Sequence, residues 1–550
     1  MSRTFPILIS TLLLGGLLAC SGTGGGSGSR VAVTVQAGFQ KEVLNPSGGH
    51  TMTTLPARYC YVEFRDASTT NTIGVNGYLD GNGTGTFQVP SGSNVFAVVY
   101  ADWAVPGATS SAPFMQGFTV NAPYGTAFAS TTDWNVTSSS FVADGSGTLT
   151  VVAQDDTNRI AGAFNIADQG VTFALGMQGL LASGSTLPSV AMYWSTDPAH
   201  QNRAYPTAVL NGSNIVTVGG RALFQAGVFG DNTGAAYTEQ DEWDDGTLGE
   251  TYAHLVFANY SYKADGSSAL SLLRTDTENV PFIPLATQSE PSMAFTTGFC
   301  DFLSAAFRGN PQILDSYRNG SGVLQVQNED LSTPNNALGE FSRYGVAGSL
   351  WTIRQALGGN QTALQTLVNS ATTSRPTLDG VGDYTGAPLG AYPTYLVGLR
   401  SDVGSTAAWT ACQTAFGAWG VADPSATYFT GTSLWTLEAV PFTASGSLVV
   451  PATPAYPETC YAKNGAALYR FTQGSTGTRT LTLTPSGQDM ELDLLGPNGP
   501  VAMSYSPNGG GTRTLSPKLS PGDYVIRVRV NPDSTLSRTA GTYTYNLALN

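Results

Sequence analysis

The sequence predicts a multidomain α+β protein in which a partly helical central domain lies between an N-terminal and a C-terminal β-sandwich. Three observations predict it. The chain has 550 residues, enough for several domains of roughly 100–200 residues each. Only 11% of its residues are charged, against roughly 25% in an ordinary soluble protein, and it has 65 Gly, so its surface is expected to be built largely from Ser, Thr, Asn and Gly, as in exported β-rich proteins. Alternation of apolar and polar residues at both ends gives way to a spacing of three and four residues in the middle.

At the N-terminus Arg3 precedes an apolar stretch from Pro6 to Ala19, shorter than the roughly 20 residues a membrane-spanning helix needs but suited to the core of a signal peptide, assigned here to residues 1–19. It ends Leu17-Leu18-Ala19-Cys20, which resembles the bacterial lipobox. That resemblance implies cleavage before Cys20, lipid attachment to Cys20 and a membrane anchor. It also implies a place in the bacterial cell envelope, in the outer membrane where the cell has one, because Ser21 and not Asp follows the cysteine. Residues 20–30, rich in Gly and Ser, then read as a flexible tether.

Residues 31–155 carry short alternating runs broken by turn residues. Arg58 to Arg65 puts Cys60, Val62 and Phe64 on one face and Tyr59, Tyr61, Glu63 and Arg65 on the other, and Asp80-Gly81-Asn82-Gly83 marks a turn. This texture predicts an antiparallel sandwich and resembles the transthyretin-like regulatory modules found beside extracellular peptidases. Residues 156–450 form the central domain. Asp244 and Asp245 cap a helix with Leu248, Tyr252 and Leu255 on one face, a second helix runs from Thr297 to Arg308, and a third from Phe341 to Leu357. The Pro-rich stretch 451–463 reads as a linker, and residues 464–550 as a series of strands. There Tyr469-Arg470-Phe471, Asp493-Leu494-Leu495-Gly496-Pro497-Asn498-Gly499 and Pro521-Gly522-Asp523-Tyr524 resemble the bacterial pre-peptidase C-terminal domain, which implies a jelly-roll-like sandwich.

The segment Asp241 to Val256, DEWDDGTLGETYAHLV, resembles the active-site helix of secreted gluzincin-type zinc metallopeptidases, the thermolysin and fungalysin-like group, whose motif is H-E-x-x-H. Two His one turn apart face the zinc there, and the Glu between them polarises the metal-bound water. The resemblance places Glu250 at the first His, Thr251 at the general base and His254 at the second His. Met293 to Pro311 resembles the helix that supplies the third ligand, with Thr297 at the ligand Glu and Asp301 at the carboxylate that orients a ligand His. Gly345 to Trp351 resembles the helix packed behind that site, and Gly162 to Asp168 and Val190 to Trp194 fit the same scaffold.

The resemblance therefore implies a metallopeptidase-like domain that has lost zinc ligands and general base. Loss of the base alone costs on the order of 10²- to 10⁴-fold in rate. The expected function is that of a pseudopeptidase lipoprotein whose cleft binds peptide, protein or glycan without cutting it. One alternative is a weak or altered metallohydrolase in which Glu250, His254 and Asp301 form an O,N,O site for zinc or another divalent metal; another is a structural or adhesive surface lipoprotein. Apart from that site no cofactor is expected. His254 is otherwise an ordinary histidine satisfied by a neighbour such as Asp301.

The remaining patterns carry less. Glu239, Asp241, Glu242, Asp244 and Asp245 lack the spacing of a calcium loop and read as helix capping and a solvated face. The chain has 3 His; His50 and His200 sit in Gly-, Pro- and Ala-flanked contexts that read as loops, as does Gly380 to Gly386. Cys60, Cys300, Cys412 and Cys460 are either two disulfides, in any of three connectivities, or four buried thiols. A net charge of −14 repels phosphate backbones, so nucleic acid is not an expected partner.

Overall fold

The computed structural model describes residues 29–107, 112–121, 132–145, 147–155, 159–181, 186–187, 189–195, 209–211, 222–230, 236–260, 291–318, 321, 323–335, 338–371, 392–423, 436–450, 466–487, 489–496, 499–504, 511–530 and 541–550. Cys20 and the signal-peptide and tether assignments, the 451–463 linker, His200, Cys460 and the Gly380–Gly386 loop lie outside the described residues.

The first part of the chain forms β1 (Arg30–Leu44), β2 (His50–Pro56), β3 (Cys60–Asp66), β4 (Thr72–Tyr78), β5 (Thr84–Pro90), β6 (Asn94–Pro106), β7 (Pro113–Asn121), β8 (Thr132–Asp133), β9 (Asn135–Thr137), β10 (Phe141–Val142) and β11 (Thr148–Ala153). β1 is long enough to serve two partners along one edge: its first half pairs antiparallel with β5 and its second half with β2, while β11 runs parallel along the other edge. Val33, Val35, Ala37 and Phe39 alternate into the core, as a half-buried strand requires. At the expected turn, Asp80 Oδ1 accepts from the backbone N–H groups of Asn82 and Thr84, and Gly83 takes φ +68°, where an added Cβ would lie 2.5 Å from the Ala37 carbonyl oxygen. His50 is not in a loop: it opens β2, with Nδ1 3.6 Å from Glu42 Oε2.

The central part adds β12 (Ser189–Ser195), β13 (Val209–Asn211), β14 (Ala222–Gly230), β15 (Ala236–Gln240), β16 (Gln312–Arg318) and β17 (Leu324–Asp330), with helices α1 (Ile160–Gln178), α2 (Asp245–Tyr260), α3 (Pro291–Arg308), α4 (Arg343–Ala356), α5 (Gln361–Ala371), α6 (Tyr392–Asp402) and α7 (Thr406–Gly417). Residues 31–155 form two β-sheets that share one core, compatible with the expected sandwich although β11 runs parallel and not antiparallel to β1, and the second sheet does not stop there. It runs β4-β3-β6-β7-β12-β14-β15-β16-β17, joined across residues 155/156 by parallel pairing of β7 with β12. One hydrophobic core extends from Val33 to Val421, so the first two expected domains share an interior.

α1 is buried on nearly all sides, as a helix packed among other elements must be. Its glycines set the spacing: a Cβ at Gly170 would lie 2.5 Å from the Trp103 ring and 2.6 Å from the Tyr252 hydroxyl. α4 starts at Ser342, whose side chain accepts from the Gly345 N–H, and packs Val346, Leu350 and Ile353 inward. Gly348 on this helix touches Trp419, which is 2% exposed; a Cβ there would lie 2.2 Å from the ring. Gly348→Ala should therefore cost about 1–3 kcal/mol by overpacking, read as a lower urea midpoint at unchanged slope.

The C-terminal part comprises β18 (Thr436–Glu438), β19 (Phe442–Val450), β20 (Ala466–Gln473), β21 (Gly477–Thr478), β22 (Leu481–Pro485), β23 (Met490–Gly496), β24 (Gly499–Ser504), β25 (Arg513–Leu515), β26 (Lys518–Leu519), β27 (Gly522–Val530) and β28 (Gly541–Leu549). A sheet of order β18-β20-β27-β23-β24 and one of order β19-β28-β22-β25 share a separate core containing Leu492, Leu494, Ile526 and Val528 from the first and Leu448, Leu483, Leu547 and Leu549 from the second. This is a β-sandwich, and it draws strands from residues 436–450, ahead of the expected linker.

Candidate functional site

The acidic lead-in to α2 is an anchor and not a solvated face. Glu242 is fully buried and paired with Arg159. Asp244, also fully buried, accepts from Ser316 N at 2.9 Å and Ser316 Oγ at 2.7 Å, which ties the start of α2 to β16, and its carbonyl accepts from Leu248 N–H. Asp245 takes Lys41 Nζ at 2.5 and 2.6 Å and Asn165 Nδ2 at 3.1 Å. Asp245 stands in the first turn of α2, the two carboxylates are engaged by Ser316, Lys41 and Asn165, and burial replaces the expected exposure. The side chains of Glu239 and Asp241 lie outside the described residues.

α2 packs against α3, and α3 against α4. Glu250 on α2 and Asp301 on α3 converge on the guanidinium of Arg343, the first residue of α4. Arg343 donates through Nε to Asp301 Oδ2 at 2.8 Å and through Nη2 to Asp301 Oδ1 and Glu250 Oε2, both at 2.8 Å. Asp301 is fully buried, and the side chains of Arg343 and Glu250 are 12% and 13% exposed. Such a fork on a carboxylate is among the stronger pairings a protein makes. Burial pushes the Asp301 carboxyl up, to about 8; Arg343 pulls against this, while the Glu250 charge and a hydrogen bond from Glu250 push with it. Burial works to lower Arg343, but the Asp301 and Glu250 charges outweigh it and carry the guanidinium well above its ordinary value. Farther out, burial raises Asp315 on β16 to about 6 and also raises Glu329 on β17, with Arg343 opposing both. The Tyr344 ring lies 5.4 Å from the Arg343 guanidinium.

Of the other expected positions, Thr251 does not join this group. Thr251 turns its hydroxyl back to its own helix, donating to the Thr247 carbonyl at 2.9 Å. Thr297 is 5% exposed on α3, one turn before Asp301. His254 has its backbone in α2, and its side chain lies outside the described residues. Asp301 is therefore placed on Arg343, and any relation of it to the His254 side chain lies outside the described residues. Two of the three candidate ligands, Glu250 and Asp301, share the Arg343 guanidinium, and the third, His254, has its side chain outside the described residues.

Arg343 was not singled out from sequence. A signal exists: a basic residue in the first turn of a helix opposes the helix dipole and needs another partner. Beside Glu329 a cavity of about 570 Å³ opens, lined among others by Glu329, Asp330, Thr333, Asn335 and Trp419. Asp330 is held by Ser332 and Thr333, whose hydrogen bonds keep its carboxyl below the ordinary range against the effect of burial. Cys60, Cys300 and Cys412 are free and buried; burial raises all three thiols, Cys412 to about 11, which leaves them unreactive. Two disulfides among the four expected cysteines are thereby ruled out.

No family model matches the chain, and no curated protein matches it. Among solved structures it is similar to the pre-peptidase C-terminal domain of a collagenase from Bacillus anthracis, at 18% identity over 21% of this chain and 93% of that one, with a TM-score of 0.16. It is also similar to PliG of Aeromonas hydrophila, a periplasmic inhibitor of g-type lysozyme, at 16% identity over 21% and 95% of the two chains, with a TM-score of 0.14. A β-glucosidase from Paenibacillus barengoltzii is 11% identical over 29% of this chain and 17% of its own, with a TM-score of 0.14. The likeness to the pre-peptidase domain is thus a partial one, and at these scores none of the three bears on activity or ligand.

Proposed function

We propose that the chain is a cell-envelope lipoprotein, anchored through Cys20, whose metallopeptidase-like region binds a peptide, protein or glycan and does not cleave it. The observation that carries this reading is Arg343, whose guanidinium engages Glu250 and Asp301, the carboxylates an altered metal site needs. A guanidinium supplies charge but no open coordination position and no activated water, so the chemistry of a zinc peptidase has no starting point there. Thr251 adds support, since its hydroxyl is committed to the helix backbone where a general base is required. The cavity beside Glu329 offers polar groups from Glu329, Asp330, Thr333 and Asn335, which suit hydroxyl-rich or amide ligands.

The test is a cleavage assay on the soluble chain from Ser21 onward, using quenched fluorescent peptide libraries with added zinc. No chelator-sensitive turnover is expected, and Thr251→Ala should match the wild type. Chelator-sensitive cleavage that disappears in His254→Ala would overturn the reading in favour of an altered hydrolase.

A further inference from the structure

The outer face of the long sheet carries a second cluster, remote in sequence from the Arg343 group. On β4, β3 and β6, Tyr78, Tyr61 and Tyr100 stand in a row, half-buried, with ring centroids 5.4 Å and 5.8 Å apart and planes tilted by 58° and 42°. The register brings a carboxylate into this row. Cys60 pairs with Trp103 and Val62 with Val99, so Tyr61 alone faces Tyr100, Ala101 and Asp102 across a bulge. Bulges of this kind re-aim side chains beside binding sites. Ala101 and Trp103 point to the core, which leaves Tyr100 and Asp102 on the outer face.

Asp102 is 8% exposed, and its Oδ1 is buried with no hydrogen-bond partner. Leaving a carboxylate in this state is costly unless a cation comes to it. Among the described residues no cation acts on it: burial and the neighbouring Asp133 carboxylate both raise its pKa, and Asp133 is itself raised by burial. The nearby Arg65 is committed elsewhere, donating to Glu63 Oε1 at 2.6 Å and to the Tyr100 hydroxyl at 2.7 Å. The Asp102 charge is felt by all three tyrosines.

We propose that this face binds an organic ammonium group, with Asp102 as its counterion and the rings of Tyr61, Tyr78 and Tyr100 as its apolar and cation–π wall. Aromatic rings attract a cation within about 6 Å of their centroids, and a buried carboxylate adds the charge that a neutral ligand has no use for. The shared chemistry is an alkylammonium, whether a primary amine of the lysine type or a quaternary group of the choline type. The proposal does not depend on the reading of the Arg343 site.

Calorimetric titration of the soluble chain from Ser21 onward tests it with four probes: N-acetyl-lysine amide, choline, 3,3-dimethyl-1-butanol as the uncharged isostere of choline, and a neutral oligosaccharide. Binding of one or both ammonium compounds is expected, at least tenfold tighter than the isostere, with the stronger of the two naming the source. Asp102→Asn should weaken it at least tenfold, and Tyr61→Leu should weaken it as well. Asp102→Asn keeps the shape and removes only the charge, so its melting temperature should equal or exceed that of the wild type, which separates loss of binding from loss of fold. Equal binding of the isostere, undiminished binding by Asp102→Asn, absence of binding by either ammonium compound, or saccharide binding lost in Tyr61→Leu would each overturn the proposal.

Discussion

Arg343→Met should lower the unfolding free energy by about 3–5 kcal/mol, the usual consequence of removing one member of a buried ion pair. The variant leaves Asp301, fully buried, and Glu250, 13% exposed, facing each other without the guanidinium that joins them. Two carboxyls so placed cannot both ionise, so the penalty depends on pH. In the wild type Asp301 is already raised to about 8, above the roughly 3.9 of an unfolded aspartate. The folded state therefore binds more protons between these values, and this group's contribution to stability is complete at acid pH and lost as the pH rises through about 8. Without Arg343 the carboxyl rises further, so the loss continues to higher pH. Urea unfolding at pH 5 and pH 10 should show the smaller difference between variant and wild type at pH 5. Replacing Glu250 and Asp301 together with Arg343 by apolar residues of similar volume should recover most of the loss, because no charge then stays buried. A difference below about 1 kcal/mol at both pH values would show that the pairing contributes nothing.

Asp493→Ala should cost a similar amount, about 3–5 kcal/mol, but confined to the C-terminal sandwich. On its first sheet, Leu492, Leu494, Ile526 and Val528 face the core, and the alternate residues form a ladder of charges on the other side. Asp493 accepts from Arg527 Nε at 2.9 Å, and Glu491 from Arg529 Nε at 2.8 Å, with exposures of 0% and 1% in the first pair and 5% and 3% in the second. Burial and the Asp493 charge raise Glu491 to about 7, with Arg529 and Arg527 pulling it down. Deleting Asp493 takes from the buried Arg527 the carboxylate to which its Nε donates. Because the two cores are separate, hydrogen exchange should accelerate in peptides from residues 466–550 and stay slow in α3 and α4. The double change Asp493→Leu with Arg527→Met should be far milder. Protection loss spread evenly over both cores would contradict this division.

The sequence pattern locates the helices well, because Leu248, Tyr252, Phe299, Val346 and Leu350 are buried where a period of three to four puts them. It also separates the two faces of β3 correctly. Pairings made across long stretches of chain are another matter. Glu250 and Arg343 are 93 residues apart and Asp301 and Arg343 are 42 apart, and nothing local to either position reveals its partner. The parallel pairing of β7 with β12, which carries one sheet across residues 155/156, is equally non-local. Low overall charge reads from composition as a surface property, yet Glu242, Asp244, Asp301, Asp493 and Arg527 are all buried, each held by a partner that only folding supplies. The tyrosine face depends on a bulge, which shifts Asp102 relative to Tyr61 in a way alternation alone does not foretell.

The most direct test is the metal content of the purified chain from Ser21 onward, measured by mass spectrometry after dialysis against zinc and then against buffer. With Arg343 holding Glu250 and Asp301, the account predicts no stoichiometric zinc and a melting temperature indifferent to chelator. One zinc per chain, stripped by chelator and absent from His254→Ala, would contradict it.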